Sequence, residues 1–216
     1  MLRGFITVAG LTLLAKGVSF LKDAGIAHRY GITDDLDAFN VAFTIINFSA
    51  MLLGSGLPSA VMPVYAKLHE HRGVWRAERV AMQVGFIHMV SLVLIGIVLW
   101  LAEDLLAHWL CHGFAPAKRE LTLMMVRQLI PFLLCYGMSL YLSLWLRGKM
   151  EFAAAALAPV LTPAMILLAI FLSGHEASIK VLVVGSNIGS LFTMLVLMWK
   201  LRLRLPKARR WWRNLL

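Results

Sequence analysis

An all-α, polytopic membrane bundle of six transmembrane helices is the fold class this sequence predicts, and three observations predict it. Of its 216 residues, 60% are apolar and only 15% charged, with a mean hydropathy of +0.78. Water-soluble domains are nearer half apolar and a quarter charged. Six apolar segments are each long enough to cross a bilayer, since about 20 helical residues cover a hydrocarbon core roughly 30 Å thick. Finally, basic residues gather in alternate loops. A soluble enzyme and a disordered chain are excluded, and six crossings leave little sequence for a soluble domain.

The segments fall near 5–28, 36–66, 80–101, 121–146, 152–173 and 178–199. The opening Met-Leu-Arg and the apolar run from Phe5 to Ala15 have the outline of a signal peptide. No A-x-A cleavage site follows and the helical pattern continues through Lys16 to His28, so a retained first span is expected. Span two contains Gly54, Gly56, Pro58 and Pro63, span four Pro131, and span five Pro159 with Pro163. Proline frees a carbonyl and kinks a membrane helix, which is tolerated where a neighbour or a wet cavity satisfies it. Ordinary packing kinks explain such residues as well as a rocking transporter does. The organisation expected is a six-helix lobe over 1–199 and a basic, Trp-containing tail over 200–216.

Net charge is +10, from 21 Lys+Arg against 11 Asp+Glu. The cations sit beside apolar segments, where they orient a membrane protein and meet anionic headgroups, so no nucleic-acid partner is expected and membrane lipids are. Arg3, the 67–79 loop, Arg147 with Lys149, and the tail hold fourteen of the 21. The alternate loops carry Asp34, Asp35, Asp37, Glu103, Asp104, Glu120 and Glu176, opposed by Arg29, Lys118, Arg119 and Lys180. Both termini are therefore expected on the cytoplasmic side of a bacterial inner membrane, consistent with an even number of spans. In the tail, Trp211 and Trp212 among cations suit an anchor lying on the membrane. The two cysteines, Cys111 in a loop and Cys135 within a span, give neither a disulfide nor a CxxC metal or redox pattern.

Charge inside the spans carries the functional signal. Lys16, Lys22 and Asp23 lie within span one, each costing about 2.5–3.5 kcal/mol at a helix centre. Lys16 and Asp23 fall about 20° apart on the helical wheel and about 10 Å apart along the axis, while Lys22 points roughly 120° from Lys16. Snorkelling, or pairing of Lys22 with a carboxylate, is the structural explanation. Span two places Asp37, Asn40, Thr44, Asn47, Met51 and Ser55 on one side, within about 100°, down to a break at Gly54-Ser55-Gly56. Interhelical hydrogen bonding accounts for such a stripe alone. A water-filled cavity lined by spans one and two accounts for the stripe and the lysines together.

His88, Gln83, Arg127, Gln128, Ser186 and Asn187 suit packing roles better than functional ones. No nucleophile–base pair, His-Glu-x-x-His metal motif or phosphate loop occurs, so no enzyme activity, metal or cofactor is expected.

The stretch Gly10-Leu-Thr-Leu-Leu-Ala-Lys-Gly-Val-Ser-Phe-Leu-Lys-Asp-Ala, then Ala27-His-Arg-Tyr-Gly and Asp37-Ala-Phe-Asn-Val-Ala-Phe, resembles the MurJ/MviN lipid II flippases of the MOP exporter superfamily. The resemblance continues through Gly56-Leu-Pro-Ser-Ala-Val-Met-Pro-Val-Tyr-Ala, His112-Gly-Phe-Ala, Leu146-Arg-Gly-Lys-Met-Glu-Phe and Leu157-Ala-Pro, in order over nearly the whole chain. It implies the amino-terminal lobe of a flippase for an undecaprenyl-diphosphate-linked saccharide such as lipid II. Transport would proceed by alternating access under an ion or potential gradient, and would need a second lobe or a homodimer. In that family, cations of the first helix face a cavity that holds the diphosphate. Lys16 and Lys22 stand where it usually has arginine, and Asp23 and Asp37 match acidic positions. Ala50-Met51 replace an Arg-Arg pair, Ser55 a Glu, and Pro163 an Asn, so another lipid-linked glycan fits as well as lipid II. The substrate-site candidates are Lys16, Lys22, Asp23, Asp37, Asn40, Thr44 and Asn47. The competing interpretation is a non-transporting membrane interaction protein or a truncated remnant. A drug or cation exporter of the same superfamily is a more distant alternative.

Overall fold

The computed structural model describes residues 2–71, 73–110, 113–174 and 178–204, which form eight helices and no strand. These are α1 (Leu2–Tyr30), α2 (Asp34–His71), α3 (Val74–Leu101), α4 (Glu103–Leu110), α5 (Pro116–Gln128), α6 (Ile130–Gly148), α7 (Phe152–Leu172) and α8 (Lys180–Arg204). Arg72, Cys111, His112, Glu176 and the tail from residue 205 lie outside the described residues.

The chain is a polytopic membrane helical bundle. Among the described residues, five stretches are long and apolar enough to cross: Asp34–Gly54, Val74–Leu101, Ile130–Gly148, Phe152–Leu172 and Lys180–Leu203. Helix α1 carries Lys16, Lys22, Asp23 and Arg29. Its 29 residues measure about 44 Å at 1.5 Å each, enough for the crossing the sequence assigns to it. Span four is two helices: α5 ends at Gln128 and α6 starts at Ile130, one residue before Pro131. The Asn187 amide of α8 donates to the Gln128 carbonyl at this break (2.9 Å). At the second proline site, Pro159 has no N–H for Ala155 O, and the Ser143 hydroxyl of α6 donates to that carbonyl instead (3.2 Å). Both the break and the proline site inside α7 thus take a hydrogen bond from a neighbouring helix.

No break occurs at Gly54-Ser55-Gly56: α2 runs as one helix of 38 residues. Gly54 serves packing, because a Cβ there would stand 2.6 Å from Leu140 Cδ1 of α6. The 102–120 connection, expected as loop, contains α4 and the start of α5.

Helix α6 is central, touching α2, α3, α7 and α8, while α7 pairs with α8 and α1 lies on α7. Small residues set the α7–α8 spacing: a Cβ on Gly189 would lie 3.0 Å from Thr162 O, and Thr162 and Thr193 hydroxyls bond at 3.0 Å. Lipid is as apolar as leucine, so this close contact, not solvent exclusion, holds the pair. One core gathers Phe39, Ile46, Leu92, Phe132 and Ile166; another gathers Tyr65, Ala81, Tyr141, Trp145 and Leu197.

Candidate functional site

Helix α2 has two opposed faces. Ala38, Ala42, Ile46 and Ala50, spaced by four, are fully buried toward α3, α5 and α6. On the wheel the polar stripe lies roughly 160° from them. Asp37, Asn40, Thr44 and Met51 are exposed there, and Asn47 is half-buried. The Asn47 amide makes one contact along the helix, to Met51 Sδ (3.7 Å). Interhelical hydrogen bonding therefore does not use up the stripe. Thr33 Oγ1 accepts from Leu36 N (3.3 Å) at the start of α2, and three aspartates in the first turn complement the helix dipole.

Asp37 has a second duty. Lys118 of α5 donates to Asp34 (2.8 Å) and Asp37 (3.0 Å), tying the α5 start to the α2 start. The hydrogen bond to Asp34, then that to Asp37, holds the Lys118 ammonium above the usual lysine value, against some desolvation.

Helix α1 lies against α7 on the side of Ala15, Val18, Lys22, Gly25 and Arg29, a run of i+3 and i+4 neighbours that are buried or half-buried. Gly25 faces Leu167. At the end of α7 the Arg29 guanidinium donates to Ile170 O, and to Ser173 O at 2.7 Å, filling carbonyls a helix end leaves open. Lys22 is 18% exposed and its amine sits 2.8 Å from Asp23 Oδ1. Asp23 and Lys16 are exposed. The structure thus joins Lys22 to Asp23 and keeps Lys16 apart. Because α1 packs on α7 while α2 packs on α3, α5 and α6, the α2 stripe and, on α1, Lys16 and Asp23 stay uncovered, whereas Lys22 and Arg29 lie on the packed side.

Between α2, α6, α7 and α8 lies an open pocket of about 240 Å³ whose lining includes Met51, Ser139, Ser143, Pro159 and Arg147. Sequence reasoning did not place Arg147 there, since it counted only as a loop cation. It also missed a buried cluster. Glu78 Oε1 accepts from Tyr65 Oη (2.9 Å) and pairs with Lys149 Nζ (2.7 Å). The 70 residues between Glu78 and Lys149 carry no spacing signal that could have joined them. His88 behaves as the packing residue expected, fully buried with Nε2 3.1 Å from Gly137 O. Among the described residues Cys135 is a free thiol, and no cluster of His, Cys, Asp and Glu could hold a metal.

A family model described as lipid II flippase MurJ matches residues 26–213. The chain belongs to the MurJ lipid II flippase family. It is similar to a probable lipid II flippase MurJ of Rhizobium tropici, at 31% identity over 79% of the chain and 33% of that relative. A second from Rhizobium meliloti is 30% identical over 74% of the chain and 31% of its own length. The lipid II flippase MurJ of Burkholderia cenocepacia is 26% identical over 81% of the chain and 35% of its length. The chain spans about a third of the length of these curated relatives. Against the family pattern, Ala50 is fully buried in the core and Met51 lines the open pocket. A cation at position 50 would therefore displace packing, whereas one at 51 would enter the pocket.

Proposed function

We propose that the chain is the amino-terminal lobe of a flippase that carries an undecaprenyl-diphosphate-linked saccharide, lipid II or a close relative, across the bacterial inner membrane by alternating access. Both termini face the cytoplasm, residues 1–199 form the lobe and the 200–216 tail lies on the membrane surface. A second lobe or a second copy of the chain supplies the opposite wall of the path. The observation that carries this proposal is the uncovered polar face of α2, Asn40, Thr44 and Asn47, in a family of lipid II flippases whose first helix here bears Lys16 and Lys22.

A diphosphate leaving the headgroup layer loses hydration and needs positive charge to offset it. Opposite unit charges about 4 Å apart gain about 4 kcal/mol at an effective dielectric of 20. Lys16 has no ion pair among the described residues and supplies such a charge directly. Lys22 is held by Asp23, so an incoming diphosphate exchanges partners with the carboxylate, and Asp23 serves to position or couple. A lysine ammonium is a point charge without arginine's fork, which favours attraction over strict orientation. The α2 amides and hydroxyl hydrogen-bond the sugar portion. No covalent bond changes, and the driving force is an ion or potential gradient.

The test follows a labelled lipid-linked saccharide to the outer leaflet in cells depleted of their own flippase and producing this chain with its partner lobe. Lys16→Ala with Lys22→Ala lowers the rate at least tenfold, and the double arginine replacement keeps it. Unchanged transport in the double alanine variant contradicts the assignment of those lysines. Binding without any movement, in the unaltered chain, instead identifies a membrane interaction protein.

A further inference from the structure

A groove of about 600 Å³ lies between α3, α6 and α8, on the side of α6 opposite the open pocket beside α2. Among the described residues none of α1 or α2 lines it, so it stands apart from the proposed substrate path. Each helix gives it one face spaced i, i+3, i+4, i+7: Met82 to Met89 of α3, Met138 to Trp145 of α6 and Leu195 to Arg202 of α8, about 10 Å along each. The floor is tight, since a Cβ on Gly85 would stand 2.9 Å from Tyr141 Cε1. The Tyr141 hydroxyl donates to Ala81 O, so this residue presents its ring to the groove. Phe86 and Trp199 stand exposed at the rim. Arg202 is the charged residue of the lining among the described residues. Arg79 precedes Met82 by three residues and shares its side of α3. The start of α3 and the end of α8 meet in one core cluster through Ala77 and Leu201, which puts both arginines at the same end of the groove. Both are exposed, with no ion pair among the described residues.

A second helix is a poor occupant. Membrane helices meet through small residues and shared polar groups, whereas here the space at Gly85 is taken by Tyr141 and the walls carry Met, Phe and Trp. Methionine is flexible and polarisable and adapts to irregular apolar shapes, which suits an acyl chain. Drawing such a chain from the bilayer into the groove gains no hydrophobic energy, because lipid tails are as apolar as the walls. Residence is therefore decided at the headgroup. Two arginines and no lining carboxylate among the described residues attract a phosphodiester bearing an uncharged alcohol and repel the ammonium of a phosphoethanolamine. Trp199, one turn before Arg202, suits the interfacial level at which a headgroup lies. We infer that the groove binds one anionic diacyl phospholipid, with an acyl chain along its methionines and the phosphodiester on Arg202 and Arg79. Helices α3 and α8 each pack on α6, and the bound lipid joins them across the groove as a structural ligand, not as cargo. The inference needs only that the chain sits in a bilayer, whether or not it moves lipid.

Retention of lipid through purification tests it. The full chain is taken by mild detergent from vesicles of equimolar phosphatidylglycerol and phosphatidylethanolamine, and the lipid that stays bound is counted by native mass spectrometry. One phosphatidylglycerol per chain is expected, retained at least fivefold over phosphatidylethanolamine. Arg79→Gln with Arg202→Gln removes that preference, and Arg79→Lys with Arg202→Lys keeps it. Leu195→Trp fills the groove and loses the lipid although both arginines are present. Arg147→Gln, a cation lost on the opposite side of α6, leaves retention unchanged and so separates this groove from general surface charge. Equal retention of the two lipids, a preference that survives Arg79→Gln with Arg202→Gln or Leu195→Trp, or an equal loss in Arg147→Gln overturns the inference. Displacement by undecaprenyl phosphate as effective as that by added phosphatidylglycerol overturns it too, because the groove would then hold a cargo tail. Unfolding temperatures of the arginine variants in lipid-free detergent, expected to equal that of the unaltered chain, separate lost binding from lost fold.

Discussion

Glu78 and Lys149 carry opposite charges where little water reaches, their side chains being 3% and 10% exposed. Their attraction must offset two desolvation costs, so the pair adds little net stability, yet removing one partner strands the other. Glu78→Gln alone is expected to lower unfolding stability by about 3–5 kcal/mol, and Glu78→Gln with Lys149→Met by distinctly less. Thermal unfolding of both variants in one detergent checks the order. Lys118 provides a pH test at the opposite end of the bundle. Its folded value is raised by Asp34 and Asp37, so its contribution is complete below the ordinary lysine value of about 10.4 and is lost as pH rises through the higher folded value. The stability gap between the unaltered protein and Lys118→Met should stay level from neutral pH to about 10, then close. A gap that closes between pH 6 and 8 contradicts this account of the tether.

At the scale of helices, close approach governs. With Thr162 O only 3.0 Å from where a Gly189 Cβ would stand, Gly189→Val must push α8 from α7 and strain the Thr162–Thr193 bond. The expected cost is about 1–3 kcal/mol, as for other overpacked contacts, read as a lower unfolding temperature. An unchanged temperature would show that the helices separate freely. Much at this scale was legible in the sequence. Hydropathy located the five stretches able to cross among the described residues, and Pro131, expected as a kink inside span four, lies at the division between α5 and α6. Legibility ended where structure depends on distant partners. Asn187 reaches the Gln128 carbonyl and Ser143 the Ala155 carbonyl, contacts no local pattern encodes. Gly54 looked like a breaker and instead admits Leu140, because a glycine's role in a long helix depends on what packs against it.

Across the whole molecule, α1 sits on α7 and α2 on α3, α5 and α6, so the two helices richest in intramembrane polar groups are buttressed from behind. The periodicity of α2 foretold its polar face, and the helical wheel foretold that Lys16 and Asp23 share a side. What the wheel could not give was Lys22 bending to its neighbour Asp23 (2.8 Å), since adjacent helical residues do not face each other and only a long flexible stem makes that contact. Asp37 was legible as polar but not as a ligand of Lys118, which lies 81 residues away. The central claim is that the α2 polar face borders water within the membrane thickness. Single cysteines at Asn40, Thr44 and Asn47, with Leu94 on the exposed apolar side of α3 as the lipid-facing control, measure this through modification by a membrane-impermeant thiol reagent in sealed vesicles. The account predicts modification at 40, 44 and 47 at least tenfold faster than at 94, and rates at all four positions equal to that of the control would contradict it.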